Sequence, residues 1–167
     1  MNIILVGKAA SGKDYFKNYL LENSFKTSIS HTTRPMRKGE VNGETYHFVS
    51  EDEFISMIDN QNFFEYKKFN GWYYGTSEKE IKDSQVFIFT PSGVKDLPRY
   101  FLNESIIIYF DISKDVRIER LKKRSDSDSI ERRLKADKED FKDFFEYDFR
   151  VFESNFSCEE LLNAISL

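Results

Sequence analysis

The sequence is poor in cysteine, proline and long apolar runs, and each shortage excludes a class of protein. Cys158 is the only cysteine, which excludes an internal disulfide and a cysteine-rich metal site and fits a reducing compartment. The apolar run at residues 2–6 is too short for a signal peptide or a membrane span. The formal net charge is −4, which argues against a surface that coats nucleic acid. We therefore expect a cytoplasmic protein that binds a small anion, with neither nucleic acid nor membrane as partner.

What the chain does contain is enough apolar sequence for one core. It has 167 residues, of which 40% are hydrophobic, and this is the size of a single domain. We find no internal repeat, and the one low-complexity segment is the serine and aspartate run at residues 125–129. A single domain over residues 1–167 is the resulting prediction.

The most informative motif is a glycine-containing loop near the N terminus. Residues 7–13 read GKAASGK and fit G-x-x-x-x-G-K, between the apolar run at 2–6 and a helix-like stretch at 14–21. A strand that turns through glycines into a helix directs several backbone N–H groups at one point, and the lysine adds a mobile positive charge. We therefore predict a nucleoside triphosphate site, with ATP bound by Gly7, Lys8, Ala9, Ala10, Ser11, Gly12, Lys13, Asp14 and Tyr15.

Position 14 departs from the common form of this motif. Asp14 stands where a serine or threonine hydroxyl usually binds magnesium. A carboxylate suits Mg²⁺, which prefers oxygen ligands and retains several waters, so it would bind the ion directly or through water. We expect Mg²⁺ as the cofactor, held with ATP, and Asp14 as its protein ligand.

Short β-branched and aromatic runs alternate with amphipathic helical stretches, which is typical of a covered parallel sheet. Strands are predicted at residues 2–6, 86–90, 105–111 and 149–152, and helices at 113–124, 130–145 and 158–165. Residues 30–77 differ, because glycine-rich turns, alternating aromatics and one helix signal at 51–60 indicate an inserted antiparallel subdomain. We predict an α/β three-layer fold of the P-loop NTPase class, with a core at 1–29 and 78–167, the insert at 30–77 and a helical lid at 120–133.

Two segments of the insert carry a family resemblance. Residues 30–49 read SHTTRPMRKGEVNGETYHFV, and a second segment runs from Phe63 to Ser77. Both resemble the nucleotide-binding segment of guanylate kinases, and together with the phosphate loop and the lid the resemblance covers nearly the whole chain. The resemblance implies a kinase that phosphorylates GMP or dGMP with ATP by direct phosphoryl transfer.

The acceptor residues follow from this resemblance and from side-chain chemistry. Arg34 and Arg37 lie three apart in a loop, where two guanidinium groups would converge on one phosphate. The resemblance adds Tyr46 and Tyr74 to the phosphate site, and a carboxylate at position 65 suits guanine because it accepts from N1–H and the exocyclic amine together. The full set that the resemblance implies for the monophosphate is Ser30, Arg34, Arg37, Tyr46, Glu65, Tyr74, Gly75, Thr76 and Thr90.

Basic residues flank the polar loop of the predicted lid. Arg120, Arg124 and Arg133 match the positions where the family closes arginines over the transferring phosphates, and Arg132 would replace Arg133 if the register slips by one. Phosphoryl transfer depends on positioning and on neutralising charge spread over oxygens, so cations from several segments suit it. The predicted catalytic set is Lys13, Arg34, Arg120, Arg124 and Arg133.

The strand after the insert departs from the family pattern. Guanylate kinases usually carry two aspartates there, one residue apart, and this chain has Ile88 and Thr90 in those places. In the family, the first organises the metal and an arginine, and the second accepts from the guanine amine. A neutral acceptor in place of a charged one costs about 1–2 kcal/mol of selectivity, so Glu65 would carry most of the preference for guanine.

Three alternative functions are compatible with the sequence. A related kinase would accept other nucleoside monophosphates, or a sugar phosphate, since some sugar-phosphate kinases of the superfamily also have Gly-Lys-Asp in the loop. A binding module that resembles guanylate kinases would hold peptides instead, but such modules have typically lost the phosphate loop that is present here.

We interpret His31 and His47 as structural, because neither has a cysteine or carboxylate at metal-ligand spacing. Both a monomer and a homodimer are compatible with the sequence.

Overall fold

The computed structural model describes residues 1–123 and 129–166. In chain order its elements are β1 (Asn2–Gly7), α1 (Lys13–Glu22), β2 (His31–Thr32), β3 (His47–Phe48), α2 (Glu51–Asp59), β4 (Phe63–Phe69), β5 (Trp72–Ser77), α3 (Glu78–Asp83), β6 (Val86–Ile88), α4 (Pro91–Asp96), α5 (Arg99–Asn103), β7 (Ser105–Phe110), α6 (Lys114–Lys122), α7 (Ile130–Asp140), β8 (Phe149–Val151) and α8 (Cys158–Ile165).

A four-stranded parallel sheet forms the centre of the molecule. Its strand order is β6-β1-β7-β8, and Leu5 of β1 lies between Ile88 and Ile108 of its two neighbours. Residues 3–6 of β1 are fully buried, as expected of a strand covered on both faces. The carboxyl ends of parallel strands meet at one edge of the sheet, so the loop after β1 lies where ligands of such sheets bind.

Helices cover both faces of this sheet. Alternate residues of β1 point to opposite sides, so Ile3 and Leu5 pack with α1 and α8 on one face. Ile4 and Val6 pack on the other face with residues of α4, α5 and the segment after α7. This arrangement of helix, sheet and helix confirms the predicted α/β three-layer fold.

A second sheet is formed by strands between His31 and Ser77. Its order is β3-β2-β5-β4, with β5 antiparallel to both of its neighbours. The pair β2 and β3 is parallel, which differs from the expected purely antiparallel insert, because the long loop over residues 33–46 returns the chain to the same end of β2. The boundaries of the insert at 30–77 stay a prediction.

Strand β6 and helix α7 end earlier than the sequence indicated. Strand β6 ends at Ile88 instead of Thr90, because the Thr90 hydroxyl accepts from Gly93 N at 3.0 Å and Pro91 starts α4. Helix α7 ends at Asp140 instead of Phe145, and the chain turns so that Phe144 enters the core. Most of the predicted lid tip lies outside the described residues. In the described part of the chain we find no helix that is long and apolar enough to cross a membrane.

Candidate active site

The loop between β1 and α1 has the shape of a phosphate cradle. Gly7 ends the strand, and a Cβ there would lie 2.6 Å from Ser11 Oγ and 2.9 Å from Phe110 Cβ. Gly12 precedes α1 with φ of +100°, a left-handed conformation that favours glycine. Both glycines of the motif are therefore required by the backbone path, and the loop leads into the N-terminus of a ten-residue helix.

The lysine of the motif folds back over its own loop. Lys13 Nζ donates to the carbonyl oxygens of Gly7 and, at 3.1 Å, of Lys8. The hydroxyl of Ser11 is buried with no hydrogen-bond partner in the described structure. The ammonium of Lys13 thus lies against carbonyl groups of the loop, and the hydroxyl of Ser11 is enclosed next to Gly7.

A cavity of about 500 Å³ lies beside the loop. Arg120 forms one wall, since its guanidinium donates to Ala10 O at 3.1 Å and to Ser154 O at 2.9 Å. Tyr15 projects at the rim with 65% of its surface exposed, and its ring packs edge-on against Phe156. The lining residues are Ala10, Gly12, Asp14, Tyr15, Arg120, Ser154, Asn155 and Phe156. This volume and its aromatic rim suit the nucleoside of a bound donor.

Lys8 points toward the outer end of β7. Its ammonium lies 3.3 Å from Asp111 Oδ1 and over the rings of Tyr109 and Phe141. Arg150 binds the other oxygen of Asp111 at 2.6 Å. Burial alone would raise the pKa of Asp111, but the hydrogen bonds, led by those from Arg150, hold it below its usual value. Asp111 is therefore ionised at neutral pH and fixes the Lys8 side chain beside the loop.

Arg34 is held by a carboxylate that the sequence analysis did not single out. Its guanidinium forms two parallel hydrogen bonds to Glu40, at 2.7 and 3.0 Å, and Glu40 also accepts from Arg37 N at 2.6 Å. Burial opposes the charge of both partners, but these hydrogen bonds outweigh it and raise the pKa of Arg34 while lowering that of Glu40. Both groups are charged at neutral pH, and the pair fixes the loop that carries the two predicted phosphate-binding arginines.

Three of the predicted acceptor residues converge. The Arg34 guanidinium lies 5.4 Å from the ring centre of Tyr46, whose ring is 6.1 Å from that of Tyr74. Burial raises the pKa of Tyr46, and the charge of Asp14 raises it further. Burial likewise raises the pKa of Tyr74, against the charges of Arg34 and Arg37. Both phenols are thus neutral donors, and Tyr46 lies within the electrostatic reach of Asp14 next to the phosphate loop.

Glu65 lies deeper in the insert, on β4. Its Oε1 accepts from Thr76 N at 3.1 Å and from the Thr76 hydroxyl at 2.9 Å. Burial raises the pKa of Glu65 to about 7, in spite of these two hydrogen bonds. Thr76 is itself buried, and its two hydrogen bonds orient the carboxylate of Glu65. Ser30, which lies just before β2, accepts a hydrogen bond from His47 N through its backbone carbonyl.

Thr90 and Glu65 meet across a glycine. A Cβ on Gly93 would lie 3.2 Å from Thr90 Oγ1 and 3.5 Å from Glu65 Oε2, so the absence of a side chain there leaves room beside the carboxylate. The Thr90 oxygen accepts from Gly93 N and lies 3.1 Å from Ser92 Oγ. Packing requires a glycine at position 75, because a Cβ on Gly75 would lie 2.8 Å from the ring of Phe63.

The predicted lid arginines lie in different environments. Arg133 is buried on α7, and Arg124 falls outside the described residues. Arg132 instead faces the insert, where its guanidinium stacks 4.1 Å from the ring centre of Trp72 and donates to Asn70 O at 2.8 Å. The two neighbouring arginines of α7 thus point in different directions, and Arg132 links the lid helix to the β4–β5 hairpin.

Arg117 and Asp137 form a buried ion pair that the sequence analysis missed. Their side chains meet at 3.2 Å, and each is about 5% exposed. The only sequence signal is that each lies four residues from another residue on the buried face of its helix, Leu121 for Arg117 and Arg133 for Asp137. A charged residue in a buried stripe indicates a partner, but twenty residues separate the pair and spacing alone does not identify it.

The two histidines lie side by side in the second sheet. Their ring centres are 4.6 Å apart, and His47 Nε2 is 3.6 Å from Glu80. Burial, helped by His47, lowers the pKa of His31 to about 4. Among the described residues no group of three or more His, Cys, Asp or Glu side chains is arranged to hold a metal ion.

A phosphate loop at the carboxyl edge of a parallel sheet, together with a cluster of arginine and tyrosine side chains in the insert, defines a P-loop kinase that acts on a small phosphorylated acceptor. The guanylate kinase family matches residues 1–166. The guanylate kinase of Buchnera aphidicola subsp. Acyrthosiphon pisum is 35% identical over 170 residues, which cover 96% of this chain and 82% of that protein. The guanylate kinase of Neisseria gonorrhoeae is also 35% identical, over 95% of this chain and 83% of its own length. The chain belongs to the guanylate kinase family.

A solved structure supports the same fold. The crystal structure of guanylate kinase from Anaplasma phagocytophilum superposes with a TM-score of 0.74, covering 99% of this chain and 82% of that chain at 24% identity.

Proposed function

We propose that the protein transfers the terminal phosphoryl group of ATP to GMP or dGMP, giving ADP and the corresponding diphosphate. The observation that supports this best is the convergence of Arg34, Tyr46 and Tyr74 in one cluster of the insert. Tyr46 lies within the electrostatic reach of Asp14, and we infer from this that the donor and acceptor sites face each other, as direct transfer requires.

On the donor side, Lys13 exchanges its partners. Its ammonium donates to carbonyl oxygens of its own loop in the structure. When ATP enters, the ammonium turns to the phosphates, because an anionic oxygen is a stronger acceptor than a neutral carbonyl. The nucleoside occupies the cavity between Arg120 and Tyr15.

The residues at the loop fit a magnesium ion that arrives with ATP. Asp14 is exposed in the first turn of α1 and lines the cavity, so its carboxylate is accessible. One carboxylate, substrate phosphates and waters are the usual ligands of Mg²⁺ in kinases. The chemistry that Mg²⁺ supplies here is neutralisation of charge on the phosphate oxygens. We propose Mg²⁺ as the cofactor on this basis.

On the acceptor side, the phosphate of GMP binds between cations and phenols. Arg34 and Arg37 supply the charge, and Tyr46 and Tyr74 stay protonated and donate. Glu40 holds Arg34 in a fixed rotamer before the substrate arrives, so less conformational entropy is lost on binding. The acceptor oxygen is thereby directed at the phosphate loop.

The base is selected by Glu65. Its Oε1 is held by Thr76, and the open space over Gly93 lies beside Oε2. In its ionised form the carboxylate accepts from guanine N1–H and the exocyclic amine. Arg120 and Arg133 close the site over the transferring group, and water is excluded from it. Arg124 belongs to the same proposal through its place in the sequence.

The test is an ADP-release assay with ATP and Mg²⁺ and one acceptor at a time, among GMP, dGMP, AMP, CMP, UMP and dTMP. We expect turnover with GMP or dGMP only, and a Lys13→Ala variant run in parallel provides the blank. Equal turnover with several bases would refute the guanine assignment. No turnover with any of the six would refute the kinase proposal and favour a protein that binds without catalysis.

We propose that the enzyme acts in the cytoplasm. The single cysteine, Cys158, is buried and free, which supports a cytoplasmic enzyme. ATP and a nucleoside monophosphate are its proposed partners. Gel filtration of the purified protein distinguishes a monomer of 19.8 kDa from a homodimer.

A further inference from the structure

The phosphate loop is clamped from outside by the buried ion pair of α6 and α7. Asp137 Oδ2 accepts from Ala9 N at 3.0 Å and from Arg117 Nη1 at 3.2 Å. The same Arg117 nitrogen lies 3.4 Å from Ala9 O, and Arg117 Nε donates to Ile112 O at 3.1 Å. Both backbone polar groups of Ala9, its N–H and its C=O, are thus bound by side chains from α6 and α7.

The negative charge of Asp137 is unexpected next to a loop that binds phosphate. A carboxylate beside a loop that binds phosphate repels the ligand, so Asp137 is not there to attract ATP. Lys13, Arg117 and Lys8 all lie close enough to stabilise its charge, although burial is the larger effect and raises the pKa of Asp137. What the carboxylate contributes directly to the loop is an acceptor for the Ala9 amide, with Arg117 neutralising its charge.

We propose that Asp137 is a positioning residue for phosphoryl transfer, which holds the Ala9 peptide and thereby sets the phosphate loop in its binding shape relative to lid helix α7. This inference rests on the proposed kinase function. Arg133 lies one turn before Asp137 on the same buried face of α7, so the clamp also fixes that helix against the loop. A displacement of about 1 Å in reacting groups costs up to about a hundredfold in rate.

Two substitutions separate positioning from plain stability. Asp137→Asn keeps an oxygen that accepts from Ala9 N but removes the charge partner of Arg117, whereas Asp137→Ala removes both. We expect both variants to lower Tm. We expect kcat/KM for ATP to fall at least about tenfold in Asp137→Ala and by less than about threefold in Asp137→Asn, with KM for GMP within twofold in each.

Two further variants control for folding. In the double variant Arg117→Met/Asp137→Leu an apolar pair replaces the ion pair, which often preserves stability while it removes the acceptor. We expect it to fold and to lose at least tenfold in kcat/KM for ATP. Asp148→Ala breaks a similar bond, from Ile107 N to Asp148 Oδ2 at 2.8 Å, away from the phosphate loop. It should lower Tm and leave kcat/KM for ATP unchanged.

The outcomes are distinct. Unchanged kcat/KM for ATP in the double variant, or equal losses in Asp137→Asn and Asp137→Ala, would overturn the positioning role. If the wild-type protein fails to phosphorylate GMP, the proposed function fails. Calorimetric ATP binding by the wild type and the double variant still decides the role of Asp137, with at least tenfold weaker binding supporting it and equal binding refuting it.

Discussion

The raised pKa of Glu65 predicts that kcat/KM for GMP depends on pH near neutrality. Burial raises its pKa to about 7, and only the ionised carboxylate accepts from both N–H groups of guanine. At pH 8 about 90% of the free enzyme is ionised at this residue, and at pH 6 about 10%. We expect kcat/KM for GMP to fall roughly tenfold between these values as pH decreases, because this parameter reports the free enzyme.

The assay is steady-state turnover at saturating ATP and Mg²⁺ with GMP varied, from pH 5.5 to 8.5. The acceptor phosphate also titrates near pH 6, so Glu65→Gln is the control, since it retains the size of the side chain and an acceptor for Thr76. We expect a lower but flatter profile for this variant. If the wild type and Glu65→Gln have profiles of the same shape, Glu65 does not titrate in this range and the reasoning from its burial is refuted.

The same pKa has a consequence for stability with a definite sign. The folded pKa of Glu65 lies above the ordinary value of 4.5, so the folded state binds more protons between pH 4.5 and about 7. The free energy of unfolding therefore decreases as pH rises through this window. Urea titrations should show Glu65→Gln more stable, relative to wild type, at pH 8 than at pH 5. The opposite order would contradict the raised pKa.

Other substitutions test the remaining parts of the site and the core. Lys13→Ala should lower kcat at least about a hundredfold without unfolding the protein, and retained turnover would exclude the assigned donor site. Thr90→Asp should increase the ratio of rates with GMP over AMP, because an aspartate still accepts from Gly93 N and adds a charged acceptor beside the base; an unchanged ratio would count against this. Phe16→Ala, at a fully buried position of α1, should cost about 3–5 kcal/mol in urea unfolding, and a loss under 1 kcal/mol would indicate a loosely packed core.

Much of the fold was predictable because its elements leave local signals. The buried run of β1 followed by two required glycines identifies strand, loop and helix together, and α8 occupies the predicted residues 158–165. The helices α3, α4 and α5 were missed because five or six residues are too few for a hydrophobic period. The start of α4 still had a signal, since threonine followed by proline is a common helix start.

The residues of the candidate site were predictable where they match a family motif, but the contacts that hold them in place were not. Family resemblance indicated Arg34, Tyr46 and Tyr74, and the structure brings them together. The resemblance did not indicate that Glu40 forms an ion pair with Arg34. The only sequence signal for this pair was that two opposite charges lie six residues apart in one loop. The bond from Asp137 to Ala9 spans 128 positions and depends on how α7 packs against the sheet, which no spacing rule encodes.

The stacking of Arg132 on Trp72 has a practical consequence. Trp72 is the only tryptophan in the chain, and it lies where the lid helix meets the hairpin of the insert. The Arg132 guanidinium, 4.1 Å from the ring centre of Trp72, changes the polarity around the indole and the access of quenchers to it. The intrinsic emission of the unlabelled protein is therefore an optical gauge of the distance between two parts of the enzyme, and stopped-flow mixing with nucleotide would time their approach without a dye or a mutation.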